Sequence, residues 1–157
     1  MAAYAKGTSV SVAKSKAEIE DQVTRFGADG FMSGRDGRNV MIAFKARERQ
    51  VMFRMLSSDP NSPEMKKTPT GKTRREAEAI AACEAEDRRL WRSLAMSIKA
   101  KLVGVVDGIE TFEQAFMAHV VMPDGLTLSD HITDKIEIAY DTGAMPPLLP
   151  LPPKDND

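Results

Sequence analysis

The chain has 157 residues, of which 42 % are hydrophobic and 29 % charged, values typical of one globular domain with a single core. One cysteine, Cys83, excludes an intrachain disulfide and an all-thiolate zinc site, and it fits a reducing cytoplasm. The formal net charge of −1 conceals an uneven distribution of charge along the chain. Residues 35–75 hold 11 basic and 4 acidic side chains, a net +7, whereas residues 107–157 hold 2 and 10, a net −8.

The N-terminal half predicts one helix followed by a sheet. Ser15-Lys16-Ala17-Glu18 has the form of a capping box, and the apolar positions that follow predict a short helix ending near Gly27. The hydrophobic period then changes to two, and residues 30–56 predict a three-stranded antiparallel meander with one buried face. Its other face is mixed and partly basic: Met41, Ala43, Lys45, Met52 and Arg54.

The next stretch predicts a loop and one long helix. Residues 57–72 contain three prolines and no apolar periodicity, which indicates a long, mobile, basic loop. Thr73-Arg74-Arg75-Glu76 reads as a second capping box, and residues 74–104 predict the helix. Its middle, from Glu84 to Arg89, is nearly all charged, so we expect this part to project past the core or to pack against a partner.

The C-terminal part predicts smaller elements. Thr111-Phe112-Glu113-Gln114 caps a short helix that reaches about His119, residues 120–128 resemble a small hairpin, and Ser129 caps a last helix through Tyr140. The ending is rich in proline and leucine, and it either docks into a partner's groove or packs on its own domain.

Together these elements predict an α+β fold: a three-stranded antiparallel meander packed on a long helix, with a small helical C-terminal part. We expect an α-β-β-β-α core over residues 1–106, a helical and hairpin subdomain over 107–141, and a Pro-rich tail over 142–157. No apolar run approaches the roughly 18–20 residues of a membrane span, and the N-terminus lacks the apolar stretch of a signal peptide. We therefore expect a cytoplasmic protein.

The basic segment is the strongest functional signal. Lysine and arginine contacts to phosphates supply most of the sequence-independent affinity for nucleic acid. The predicted contacts lie on the sheet, its turns, the loop and the start of the long helix: Arg47, Arg49, Arg54, Lys66, Lys67, Lys72, Arg74 and Arg75. The alternatives are a solvated charged surface, or a patch that meets the acidic C-terminal part of the same protein.

Catalytic and metal-binding patterns are weak. His119 and His131 lack the spacing of a zinc site, and the carboxylates lack that of a metal-dependent nuclease. Gly71-Lys72-Thr73 lacks the first glycine and the preceding strand of a phosphate-binding loop. We interpret Cys83, which lies among alanines, as a small buried hydrophobe. We therefore expect no metal, no cofactor and no enzymatic activity.

Several segments carry resemblances. The stretch from Lys72 to Ala82 resembles the basic, alanine-rich start of the second helix of double-stranded-RNA-binding domains, although the Gly-Pro-x-His loop of that family is missing. The meander followed by a long helix resembles the core of phage single-strand-annealing recombinases. Trp91-Arg92-Ser93-Leu94, Phe116-Met117-Ala118-His119 and Pro123-Asp124-Gly125 are similar to small uncharacterised proteins encoded in bacteriophage genomes, which implies a phage origin and the host cytoplasm.

Two functions follow as hypotheses. The first is a non-catalytic nucleic-acid-binding accessory protein of phage replication or recombination, acting on single- or double-stranded DNA or RNA and forming an oligomer. The second is a phage inhibitor that binds a host enzyme or defence protein, with the acidic C-terminal part as a mimic of nucleic acid.

Overall fold

The computed structural model describes residues 4–149 and confirms the α+β class. The elements are α1 (Val12–Phe26), β1 (Gly30–Asp36), β2 (Asn39–Ala46), β3 (Arg49–Leu56), α2 (Pro63–Lys66), α3 (Glu76–Val106), α4 (Phe112–Phe116) and α5 (Leu128–Thr142). A 3-10 turn over Met117–His119 follows α4. Among these described elements, no helix is long and apolar enough to cross a membrane.

The three strands form the predicted antiparallel meander in the order β1-β2-β3. Phe44 lies opposite Phe31 on one side and opposite Val51 on the other, so the apolar alternation of all three strands meets on one face. Arg47 and Glu48 connect β2 to β3 with φ angles of 49° and 60°, the left-handed pair that a two-residue hairpin with the native twist requires.

The core lies between the inner face of this sheet and helices α1, α3 and α4. Phe112 and Phe116 are fully buried in it, and the Phe116 ring meets Phe44 edge to face at 5.6 Å between centroids. The hydrophobic core therefore crosses residue 106, where the sequence placed a domain boundary. The division into residues 1–106 and 107–141 stays a prediction.

Helices α1 and α3 run in the same direction, because three strands separate them along the chain. Lys16 Nζ lies 5.8 Å from the centre of the Trp91 ring. Glu18, two residues after Lys16, forms an ion pair with Arg92, the residue after Trp91. Trp91 lies 15 residues into α3, whereas Lys16 lies only four residues into α1. At 1.5 Å per residue, the start of α3 extends about 16 Å beyond the start of α1.

Three helix starts differ from their predicted positions. The N-cap of α1 is Ser11, whose Oγ accepts from Lys14 N at 3.1 Å, because Ser15 lies one turn before Ile19 on the buried face. Helix α5 is capped by Thr127 rather than Ser129. Helix α3 begins after Arg75, whose backbone N–H donates to the Glu78 carboxylate at 2.9 Å. At α1 and α5 the hydroxyl of another residue, four and two residues before the predicted cap, accepts from the free N–H groups of the helix start.

The segment after β3 has more structure than its composition predicts. It contains α2 and a bridge between Lys67 and Thr73, so the expectation of a loop without secondary structure is wrong. The charged middle of α3 is half-buried against this segment, since Asp87 Oδ1 accepts from Ser58 N at 2.8 Å. This part of α3 nevertheless lies past the hydrophobic core, to which the helix contributes residues only from Trp91 onward, as the sequence predicts.

The C-terminal elements add a short bridge at the edge of β3. Val120 pairs with Val51 at the free side of β3, and Val121 pairs with Thr127, which gives the predicted small hairpin. After α5 the chain turns back, because Leu148 accepts a hydrogen bond from Lys135 Nζ at 2.8 Å. The predicted docking of the rest of the Pro-rich tail concerns residues 150–157, which lie outside the described residues.

Candidate functional site

The predicted nucleic-acid contacts divide between the two ends of the sheet. Arg47 and Arg49 lie at the turn before β3, whereas the five cations from Lys66 to Arg75 follow the other end of that strand. A strand of eight residues spans about 25 Å, so the two groups are separate. Arg54 lies between them on the outer face of the sheet, the face turned away from the core.

The group at the turn makes contacts within the chain. The Arg47 guanidinium lies 5.1 Å from the centre of the Phe26 ring, and Arg49 Nε lies 3.7 Å from the Glu113 carboxylate. Both side chains of the Arg49 pair are about half exposed. This arginine is therefore partly neutralised by the acidic C-terminal part.

Arg54 is neutralised more closely. Its Nη2 lies 2.5 Å from Asp130 Oδ2, and the same carboxylate oxygen accepts from the hydroxyl and the backbone N–H of Thr127. The Thr127 hydrogen bonds, followed by that of Arg54, lower the pKa of Asp130 to about 2. The acidic C-terminal part thus covers two of the eight predicted cations within one chain.

The cations after β3 lie on a small closed loop, residues 66–74, which we call the basic hairpin. Arg74 N donates to Lys66 O and Thr68 N donates to Lys72 O, both at 2.8 Å. Gly71 forms the tip with a φ of 83°, a left-handed conformation that favours glycine. The backbone of the hairpin is therefore fixed by its own hydrogen bonds, and Lys67 and Lys72 flank its turn.

Arg74 holds the hairpin against α2. Its Nη1 donates to the backbone carbonyl oxygens of Lys67, Met65 and Glu64 at 2.8, 3.1 and 3.4 Å. These carbonyls lie at the end of α2, where no intrahelical donors remain. Because Nη1 supports the loop in this way, Arg74 is a positioning residue, and its Nε and Nη2 make no hydrogen bond to the rest of residues 4–149.

The remaining cations of this segment point to solvent. Lys66, Lys67 and Lys72 are exposed, and within residues 4–149 no carboxylate lies within 4.0 Å of their amino groups. The Arg75 side chain is 90 % exposed and approaches the Glu78 carboxylate only at 3.8 Å. These four side chains form the largest group of accessible positive charge that the sequence analysis selected.

The histidines do not converge. The His119 ring stacks on Phe53 with 4.0 Å between centroids, and burial, followed by the charge of Lys101, lowers the pKa of His119. His131 Nε2 lies 2.9 Å from Asp124 Oδ2. Over the described part of the chain, no three histidine, cysteine or acidic side chains are close enough to hold a metal ion.

The buried thiol is consistent with a structural role. Cys83 is 7 % exposed in α3, as the alanine-rich context predicts. Burial, followed by the charge of Asp87, raises the pKa of the Cys83 thiol, which leaves less thiolate at neutral pH.

Sequence reasoning missed the cavities of the protein. One, of about 930 Å³, lies over the end of the sheet beside Gly34, Met41 and Leu56. A second, of about 360 Å³, lies between α1, the sheet and α3, beside Lys16 and Trp91. The alternation of apolar and polar residues predicts which side chains lie on the outer face of the sheet. The space above Gly34 depends also on which residues of the neighbouring strand lie opposite it, and the sequence does not reveal that register.

Comparisons with protein-family models, with curated proteins and with solved structures find no match for this chain.

Proposed function

We propose that this protein binds nucleic acid without catalysing a reaction, and that the basic hairpin and the start of α3 contact the phosphates. The observation that carries the proposal is the group of four exposed cations, Lys66, Lys67, Lys72 and Arg75, beside the end of the sheet. Arg47 contributes at most a secondary contact, because it lies at the opposite end.

The shape of the segment supports this proposal. The hairpin packs beside the first turns of α3, where the long helix extends beyond α1. A projecting element reaches a groove or a single strand without interference from the rest of the domain. The N-terminal end of α3 adds the positive end of its macrodipole to the same region.

The number of cations sets the salt dependence. Each neutralised phosphate contributes about −0.9 to the slope of log K against log[salt] on duplex DNA, and about −0.7 on single strands. Four contacts give slopes of about −3.6 and −2.8. Between about 50 and 200 mM salt, the affinity should fall about 150-fold on a duplex and about 50-fold on a single strand.

Fluorescence anisotropy with labelled oligonucleotides tests the proposal. The test variant is Lys66→Gln/Lys67→Gln/Lys72→Gln, and its matched control is Lys6→Gln/Lys14→Gln/Lys99→Gln. Both remove three exposed lysines, so the change in net charge is identical. We expect the hairpin variant to lose nearly all binding and the control to keep most of it. Equal loss in both, or no binding by the wild-type chain at low salt, overturns the proposal.

The biological setting rests on resemblance. Similarity to small phage-encoded proteins implies a phage origin, and the order of elements shared with phage single-strand-annealing recombinases favours an accessory role in phage DNA replication or recombination. The α-β-β-β-α order shared with double-stranded-RNA-binding domains keeps duplex RNA among the ligands, so the oligonucleotide series includes single- and double-stranded DNA and RNA. The ranking of affinities across this series selects the ligand class.

One observation favours the second hypothesis, an acidic protein-binding inhibitor. Asp134, Glu137 and Asp141 lie on one face of α5 and are exposed, and Tyr140 beside them is 88 % exposed. A helix with carboxylates and an accessible aromatic ring suits a basic protein surface. Affinity purification from host lysate tests this function with Asp134→Asn/Glu137→Gln/Asp141→Asn as the comparison. Absence of a stoichiometric partner for the wild-type chain refutes it.

A further inference from the structure

We propose that two copies of this chain pair through their β1 strands, antiparallel and about a two-fold axis at Ser33, to form a continuous six-stranded sheet. The pairing places Met32 of each copy over Gly34 of the other. It concerns a different surface from the basic hairpin and does not depend on the proposed function.

The free edge of β1 is the first observation. Asp36 and Asn39 flank the two-residue turn of the first hairpin, so the even-numbered residues of β1 bond to β2. The N–H and C=O groups of Phe31, Ser33 and Arg35 therefore point away from the sheet. No backbone hydrogen bond from the rest of residues 4–149 reaches them.

The opposite edge of the sheet, at β3, is partly covered by the same chain. Val121 N donates to Gln50 O at 2.8 Å, and Val120 forms a β-bridge with Val51. The chain therefore covers part of the β3 edge with its own residues. On β1 the edge carries neither a proline nor a bulge, two of the devices that prevent pairing with another strand, and its charged residues, Arg35 and Asp36, lie at one end of the strand.

The side chains of β1 are complementary to a second copy of β1. With Ser33 on the two-fold axis, Phe31 pairs with Arg35 of the other copy, and all six free backbone groups of each strand gain a partner. On the outer face, Met32 then lies opposite the glycine at position 34 of the second copy. Met32 is 51 % exposed in the single chain, and it is the only large apolar side chain of this strand on that face.

The space for Met32 already exists. A Cβ built on Gly34 would first meet Met41 Cε at 3.9 Å, and the cavity of about 930 Å³ opens beside it. A flexible thioether from the second copy fits such an irregular apolar space. Because the symmetry repeats the contact, two methionines enter two cavities.

Charge complementarity points to the same register. The pairing sets Asp36 opposite the other copy's Gly30, which has no side chain and whose neighbour across the sheet is Lys45. Among residues 4–149 the Lys45 amino group pairs only with the Asp29 carboxylate, at 3.8 Å, and both side chains are more than half exposed. In the pair, the Lys45 amino group of one copy therefore lies near the Asp36 carboxylate of the other copy, with Gly30 between them. An unrelated extended peptide would supply neither the methionine nor the carboxylate at these positions.

Sedimentation across the micromolar range tests the pairing, with variants that act on the edge alone. The wild-type chain should double its mass with rising concentration, and this association should persist in high salt. Ser33→Pro removes one outward N–H and should keep the chain monomeric, while Ser33→Thr, which retains the N–H, should still associate. Gly34→Val occupies the space for Met32 and should also prevent association, although valine suits a strand.

Cysteine crosslinking tests the register directly. Two residues at position 33 would lie about 5.5 Å apart between Cα atoms, within the range of a disulfide. Two residues at position 32 would lie about 8 Å apart, beyond that range. We expect Ser33→Cys to give a covalent dimer on oxidation and Met32→Cys to give none. A monomeric wild-type chain, association that survives both Ser33→Pro and Gly34→Val, or crosslinking only at position 32 overturns the proposal.

Discussion

Replacing Arg74 with Gln should loosen the basic hairpin, whereas the same replacement at Arg75 should leave it intact. Arg74 Nη1 donates to Lys67 O at 2.8 Å and to Met65 O at 3.1 Å, and hydrogen bonds from a charged donor contribute roughly 1.5–3 kcal/mol each. Both bonds lie near the surface, where water competes, so we expect a total of about 2 kcal/mol. That free energy corresponds to about a 30-fold rise in local opening.

Amide hydrogen exchange measures this opening at the residues concerned. Thr68 N and Gly71 N donate within the hairpin, and their exchange should accelerate about 30-fold in Arg74→Gln. In Arg75→Gln their exchange should match the wild-type rate, because that side chain is 90 % exposed and holds no hairpin carbonyl. Unchanged exchange in Arg74→Gln, or equal acceleration in both variants, would refute the assignment of Arg74 as the positioning residue.

Three further predictions concern the rest of the domain. Phe116→Ala should lower the free energy of unfolding by about 3–5 kcal/mol in chemical denaturation and keep one transition; two transitions would contradict a core shared across residue 106. Burial and Lys101 lower the pKa of His119 below 6.5, so the folded state binds fewer protons than the unfolded state. Stability should therefore fall as the pH drops through 6.5, and His119→Phe should reduce this dependence; an unchanged pH profile would show that His119 does not cause it. Cys83, buried with a raised pKa, should react with a thiol reagent only at the rate of unfolding, and rapid labelling of the folded protein would disprove its burial.

The sheet could be predicted from sequence because its signals are local. Val40, Ile42 and Phe44 alternate within five residues, and one alternation fixes which side chains face the core. Helix starts are less determined, since Ser11 and Ser15 are both good caps and only the packing of the buried face selects between them.

The site could be predicted only in part, because the partner of a charged residue is a long-range property. Arg54 and Asp130 lie 76 residues apart in the chain, and no local pattern joins them. Arg74 and Arg75 are identical neighbours, yet one supports α2 and the other faces solvent. Charge counts therefore located the basic region, but only the folded chain separates residues that hold the loop from those available to a ligand.

The salt dependence of nucleic-acid affinity tests the central claim most directly. The wild-type slope of log K against log[salt] should lie between about −2.8 and −3.6, and Lys66→Gln/Lys67→Gln/Lys72→Gln should reduce its magnitude to below about 1. The control Lys6→Gln/Lys14→Gln/Lys99→Gln should retain the wild-type slope. Equal slopes for the two triple variants would contradict a phosphate contact centred on the basic hairpin.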